Sequence, residues 1–210
     1  LCAGSLMVPF ERIAEEYETR HPDVDVIVEG HGSIQVIRYV TELDTRADVV
    51  AVADHSLIPM MMYDNQVPGT SNDYATWYVR FATNRLGLAY TSQSKYADEI
   101  TSANWYDILS ESDIKLGFAD PRIDSCGYRA LMLCYLAQGY YDDDTVFQKV
   151  MGTFSPPLTV SQEDNIAVIS VPEVLKPTKV TIRAQLLVHG WWNISGGKMS
   201  KSLGNVIDPD

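Results

Sequence analysis

The 210-residue chain predicts an α/β fold in which helices are layered on a mostly parallel sheet, and three observations lead there. Short β-branched runs recur along the sequence. Stretches with helical spacing separate them, and hydrophobic residues make up 46% of the chain, enough to fill a sizeable core.

The elements follow in order. Residues 6–20 place Leu6, Phe10, Ile13 and Tyr17 on one helical stripe, with Ser5 as N-cap, Pro9 tolerated early in the helix, and His21-Pro22 as the stop. "VDVIVEG" (24–30) reads as a buried strand. After Gly32-Ser33 a second helix carries Ile34, Ile37 and Val40 or Thr41 on its apolar face. "ADVVAVAD" (47–54), "LGLAYT" (86–91) and "KLGFAD" (115–120) read as further strands. The Met60-Met61-Met62 run is read as packing under the adjoining loop, "YDNQVPGTSND" (63–73), whose Pro, Gly and Asn content marks a surface segment. A third helix runs from Tyr128 to Tyr141, with Gly139 near its exit. "LTVSQEDNIAVISVP" (158–172) reads as a hairpin turning at Glu163-Asp164-Asn165.

Charge narrows the function. The net charge is −12 and the pI near 4.6, which argues against a nucleic-acid surface, because phosphate binding is driven by clustered Lys and Arg. Up to Arg183 there are 14 basic and 26 acidic residues; from Ala184 to Asp210 there are two of each. Cys2, Cys126 and Cys134 are odd in number and contain no C-x-x-C, so neither a disulfide framework nor a zinc knuckle is indicated, although one disulfide remains open. No apolar run approaches the ~18 residues of a spanning helix.

Three places share one design, in which a strand ends, a small or hydroxyl residue follows, and a helix begins: Gly4-Ser5, Gly32-Ser33, and Asp124-Ser125-Cys126-Gly127. Each helix start offers unpaired backbone N–H groups and a positive dipole end, and Ser adds a neutral O–H donor. Taken singly, each serine reads as an N-cap. Taken together on one layer of an α/β sheet, they describe an oxyanion site built without a buried Lys or Arg, beyond the carboxyl ends of the strands.

These residues lie in stretches that resemble the archaeal-type molybdate/tungstate-binding protein family: "AGSL" (3–6), "GHGSIQVIRYVTEL" (30–43), "ADVVAVADHSLIP" (47–59), "WYVRFATNRLGLAYTSQSKYADEI" (77–100), "NWYDIL" (104–109) and "FADPRIDSCGYRALM" (118–132). The resemblance extends to about Arg183. It implies the extracytoplasmic, cell-surface-associated solute-binding component of an ABC importer, performing no chemistry, with a permease as partner and no nucleic acid. The implied fold is a two-lobed periplasmic-binding-protein architecture of type II, acting as a monomer, with no cofactor and with tungstate or molybdate as ligand. Carried over residue by residue, it makes Gly4, Ser5 and Ser33 anion contacts. Asp124, Ser125 and Cys126 fall on the family's Asp-Pro-Cys stretch, with Asp124 as a carboxylate at the Mo or W centre, which suits a hard, high-valent metal with oxygen ligands. The expected organisation is a first lobe over 1–82, a partial second lobe over 83–183 and a tail over 184–210.

Three departures from that pattern stand out. Ser125 replaces the usual Pro. The family's leader and most of its first strand would precede "AGSL". After Arg183 the family's second carboxylate and ligand-side Tyr are replaced by "AQLLVHGWWNISGGKMSKSLGNVIDPD", so the second lobe is expected to be incomplete at its C-terminal end, with weakened binding, unpaired strand edges and low stability. The stretch "VHGWWNISGGKMSKSLGN" resembles the second signature loop of methionyl-tRNA synthetase, in which Lys198 and Lys201 would steady ATP phosphates. Nothing upstream supplies the rest of such an enzyme, and two lysines alone do not orient its reactants. Three readings stand: an oxyanion receptor, a synthetase fragment, or a chimeric reading frame. The first describes the chain's descent and the third its present state.

The remaining polar residues read plainly. His21, His31, His55 and His189 are scattered without metal-ligand spacing, though His31 sits one residue before Gly32-Ser33. Asp142-Asp143-Asp144 lacks the alternating spacing of a calcium loop and reads as a solvated turn. Arg38 and Arg129 read as surface ion-pairing residues.

Overall fold

The computed structural model describes residues 1–173 apart from Thr153 and Asn165, together with the short strand segments named below. These residues form two compact units. One is built from Leu1–Arg85, Ile123–Ser125 and the segment from His189, the other from Leu86–Arg122 and Cys126–Val188.

In the first unit, β1 (Cys2–Ala3) pairs in parallel with β2 (Gly30–His31), Cys2 opposite Gly30 and Ala3 opposite His31. On its other side β1 bridges Ala51, again in parallel. The Cys2 N–H donates to Glu29 O at 2.8 Å, the Ala3 N–H to Ala51 O at 2.8 Å, and the Ala51 N–H to Leu1 O at 3.0 Å, so β1 is central. The strands expected at 24–30 and 47–54 are therefore realised only opposite β1. A ladder is no longer than its partner, and Val24, Ile27 and Val49 outside it are exposed.

A 3-10 turn (Gly4–Leu6) leads from β1 into α1 (Met7–Arg20), which stops at His21 as expected. Leu6, not Ser5, is the N-cap residue, and no side chain caps the helix. The stripe also differs: Ala14 is buried whereas Ile13 and Tyr17 are exposed. The face that meets the Cys2, Ala3, Leu6 and Ala51 core runs through Phe10 and, four residues on, Ala14. α2 (Ser33–Thr41) follows Gly32 as N-cap and buries Ser33, Val36 and Ile37, so Val36 replaces Ile34 on its inner face. In α3 (Leu57–Met62) the Met run divides, Met62 buried and Met60 exposed at 73%.

In the second unit, α4 (Trp105–Ser110), α5 (Ser125–Tyr141, from Cys126 on in this unit) and α6 (Val146–Met151) pack around Trp105, Leu131, Cys134, Val146, Phe147 and Val150. The Lys149 ammonium donates to Asp107 Oδ1 at 2.8 Å and Asp143 Oδ2 at 3.0 Å, tying α6 to α4. The expected strands at 86–91 and 115–120 are not ladder strands here; Leu88, Leu116 and Phe118 instead pack partly buried on this core. β3 (Phe154–Ser155) pairs antiparallel with β6 (Lys176–Pro177), around the hairpin of β4 (Thr159–Glu163) and β5 (Ile166–Ser170). The expected hairpin is present, but Glu163, read from the sequence as part of the turn, is the last residue of β4 opposite Ile166, and Asp164 takes the left-handed conformation (φ 47°). β7 (Asn193–Ile194) and β8 (Gly197–Lys198), which belong to the first unit, form a further antiparallel pair.

Among the described residues the sheets are thus four two-stranded ones, three of them antiparallel, which corrects the expectation of a mostly parallel sheet. A strand joined to the next by two residues has no room for the crossover that parallel pairing needs. No described helix is long and apolar enough to cross a membrane.

Candidate oxyanion site

Parallel pairing of β1 with β2, and of β1 with Ala51, sends three chain segments out of the same edge of the first unit. Gly4-Ser5 follow β1, Gly32-Ser33 follow β2, and Ala53-Asp54 follow the Ala51 bridge. The fourth segment, Ile123–Ser125, joins this group from far along the sequence.

The contacts are made by hydroxyl and amide groups. Ser33 Oγ lies 3.1 Å from Ser125 Oγ, and both serines are buried, at 1% and 4% exposure. The Ala53 N–H donates to Ser33 Oγ at 3.1 Å. At the N-terminus of α2 the Ile34 and Gln35 amides both point at the carbonyl oxygen of Ile123, at 3.1 and 3.2 Å, while the Val36 N–H begins the helix ladder on Gly32 O. An oxygen with partial negative charge is thus held by the first turn of a helix, where the dipole and unpaired amides favour it. Gly32 makes this approach possible: a Cβ there would lie 2.4 Å from Ile123 O and 3.2 Å from Asp124 Cβ.

The site residues expected from the sequence are placed unevenly. Ser33 and Ser125 are brought together, and Asp124, half-buried, stands beside Gly32. Gly4 and Ser5 are exposed in the 3-10 turn, where a Cβ on Gly4 would be 3.9 Å from His31 O. Cys126, half-buried, opens the second segment of the second unit. Lys198 lies in β8, and Lys201 is outside the described residues.

Two features escaped sequence reasoning. Asp54 is buried at 4% exposure, and its Oδ1 accepts the Ser56 N–H at 3.0 Å and the Ser56 hydroxyl at 2.8 Å. A signal was present, since Ala-Asp-His-Ser after a β-branched run repeats the design of the other helix starts. The Ile123 carbonyl gave no signal, being backbone. Of the outlying residues, Arg38 Nε sits 3.4 Å from Glu42, the surface pair expected of it, and the His31 ring packs against Tyr39 at 4.6 Å between centroids.

The cluster places hydroxyl and amide groups together at one strand edge, and sequence comparison gives the family. The chain belongs to the bacterial extracellular solute-binding protein family, whose pattern matches residues 1–176. It is 43% identical over 180 residues to an uncharacterized solute-binding protein of Methanoculleus marisnigri, covering 86% of this chain and 48% of the relative. It is 40% identical over 174 residues to one of Petrotoga mobilis, covering 82% and 51%. To the molybdate/tungstate-binding protein WtpA of Pyrococcus abyssi it is 36% identical over 190 residues, covering 86% and 53%. The chain therefore spans about half the length of the curated relatives it matches. Residues 162–210 also match the family of class I tRNA synthetases of the methionine type.

Proposed function

We propose that the chain is the anion-capturing part of a two-lobed receptor of the periplasmic-binding-protein type, taking tungstate or molybdate outside the cytoplasmic membrane and delivering it to an ABC permease. The observation that supports this reading is the convergence of Ser33 and Ser125 at the start of α2, beside the strand edge that Gly4-Ser5 also leave. Membership of the solute-binding family and the likeness to WtpA support the choice of ligand class.

In this reading Gly4, Ser5, Ser33, Ser125 and Cys126 line the oxyanion, and Asp124 completes coordination at its metal centre. Neutral donors bind a dianion without the desolvation cost of burying a lysine or arginine beside it. The role is capture and release, with no bond made or broken. Calorimetric titration tests it: tungstate and molybdate give saturable heat and sulfate gives less. Absence of both heat and a melting shift at millimolar tungstate overturns it. The synthetase-type segment is assigned no activity, so methionine-dependent ATP–pyrophosphate exchange is expected to be absent.

A further inference from the structure

α5 carries apolar side chains on both of its faces. Ala130, Leu131, Cys134 and Ala137 are buried in the second unit, whereas Met132, Leu136 and Tyr140, spaced four residues apart, are exposed at 43%, 66% and 83%. A surface helix ordinarily turns polar residues outward. Over residues 130–141 α5 has no charged residue, and its one amide side chain, Gln138, is used internally, its Oε1 accepting the Phe147 N–H at 3.2 Å. Gly139 is exposed beside Tyr140, and a Cβ there would meet nothing within 4 Å, so another backbone can come close at that point.

The two ends of this stripe are oppositely charged. Arg129 is exposed one turn before Met132. Beyond Tyr141 the chain turns at Asp142, which takes the left-handed conformation (φ 54°), and Asp142 and Asp144 are exposed beside the helix C-terminus. Acidic groups there face the negative end of the helix dipole, which a cation brought from outside would offset. A second α5 laid antiparallel, with Leu136 opposite Leu136, puts Met132 opposite Tyr140 and Arg129 opposite the acidic turn at 142–144, at both ends of the contact. A two-fold interface requires this self-complementarity.

We propose that the outer face of α5 is an interface between two copies of this chain, in which the helices pair antiparallel about Leu136 and Arg129 of each copy meets Asp142 and Asp144 of the other. The acidic turn disfavours an anionic lipid surface as the occupant of the stripe. A weak dimer thus replaces the monomer implied by the family resemblance. One helix per copy buries less than the ~1,200 Å² of a standard interface, which places the dissociation constant on the order of 10–100 μM.

Sedimentation equilibrium of the intact chain from about 5 μM to ~1 mM tests the pairing across this affinity, with circular dichroism checking the fold of every variant. The chain should pass from one copy to two and no further. Leu136→Glu should weaken the dimer about tenfold or more, because it sets like charges against each other at the centre. Arg129→Glu and, separately, Asp142→Asn/Asp144→Lys should each weaken self-association. An equimolar mixture of those two variants should recover it, since the mixed pair has opposite charges at both ends. No recovery on mixing would overturn the antiparallel pairing. So would an intact chain that stays monomeric at ~1 mM, assembles beyond two copies, or is drawn instead onto phosphatidylcholine vesicles.

Discussion

A Cβ on Gly32 would lie 2.4 Å from the carbonyl oxygen of Ile123, closer than any side chain can stand. The backbone of Gly32 is extended (φ −63°, ψ 143°), so alanine is conformationally welcome and only the contact forbids it. Gly32→Ala should push Ile123 off the Ile34 and Gln35 amides and carry Asp124 and Ser125 with it. The expected cost is about 1–3 kcal/mol of stability, the usual range for overpacking, together with at least a tenfold loss of tungstate affinity. A urea melt and a titration on the same variant measure both, and unchanged values in the two would refute the contact.

Asp54 anchors the turn into α3 by accepting both the amide and the hydroxyl of Ser56. Asp54→Ala should lower stability by about 1–2 kcal/mol, as for a lost capping side chain. Asp54→Asn keeps an acceptor oxygen and should lose less. Chemical denaturation of the two variants side by side checks the order.

The Lys149 bridge sets a pH dependence at both ends of the scale. Asp143 is held far below the usual carboxylate range, at about 2, because the hydroxyl and amide of Thr145 and then the Lys149 ammonium donate to it. A depressed folded value means that its contribution is complete above the unfolded value of about 3.9 and disappears as the pH falls towards 2. Lys149 is raised, by Asp107 first and then Asp143, so its contribution is present below the unfolded value of about 10.4 and lost as the pH climbs past it. Urea midpoints against pH should decline at both extremes. Asp143→Asn should flatten the acid limb and leave part of the alkaline limb, which Asp107 still supports.

The three cysteines should react in a set order. Burial pushes the Cys134 thiol up to about 12 and also raises Cys2, so neither offers thiolate at neutral pH. Cys126 is half-buried and the other two are buried. Iodoacetamide at pH 8 should modify Cys126 first, with Cys2 and Cys134 following only in denaturant, as peptide mass mapping will show. If Cys126 lines the oxyanion, tungstate should slow its modification. Early labelling of Cys134 would contradict the packing of the second core.

How far the sequence foretold this depends on how local each feature is. The β4–β5 hairpin was legible, with its turn misplaced only by counting Glu163 into it, because its alternation and turn residues are neighbours in the chain. The C-terminal end of α1 and the start of α2 were legible from His21-Pro22 and Gly32-Ser33. Sheet content was overread: "KLGFAD" and "LGLAYT" have strand composition, but composition does not say whether a partner lies alongside, and Leu88, Leu116 and Phe118 settle against helices. In α1 the inner face was misjudged by choosing the largest side chains, Ile13 and Tyr17, where the small core admits Ala14. Ser33 and Ser125 were each visible as helix starts; their contact was not, since no periodicity links two residues so far apart.

That separation gives the site a history. Ser125 follows Ser33 by 92 positions. At about 5–20 residues per second the ribosome needs ~5–20 s to deliver the second after the first. Through that interval α2 can already be wound, but the carbonyl that caps it and the hydroxyl that meets Ser33 have not yet been made. The first unit thus takes in a piece synthesised after the first segment of its neighbour, Leu86–Arg122. A chain halted at Arg85 would keep the helices of that unit but lack Ile123 and Ser125, so the Ser33 contact and the carbonyl at the start of α2 arrive together in a single late step.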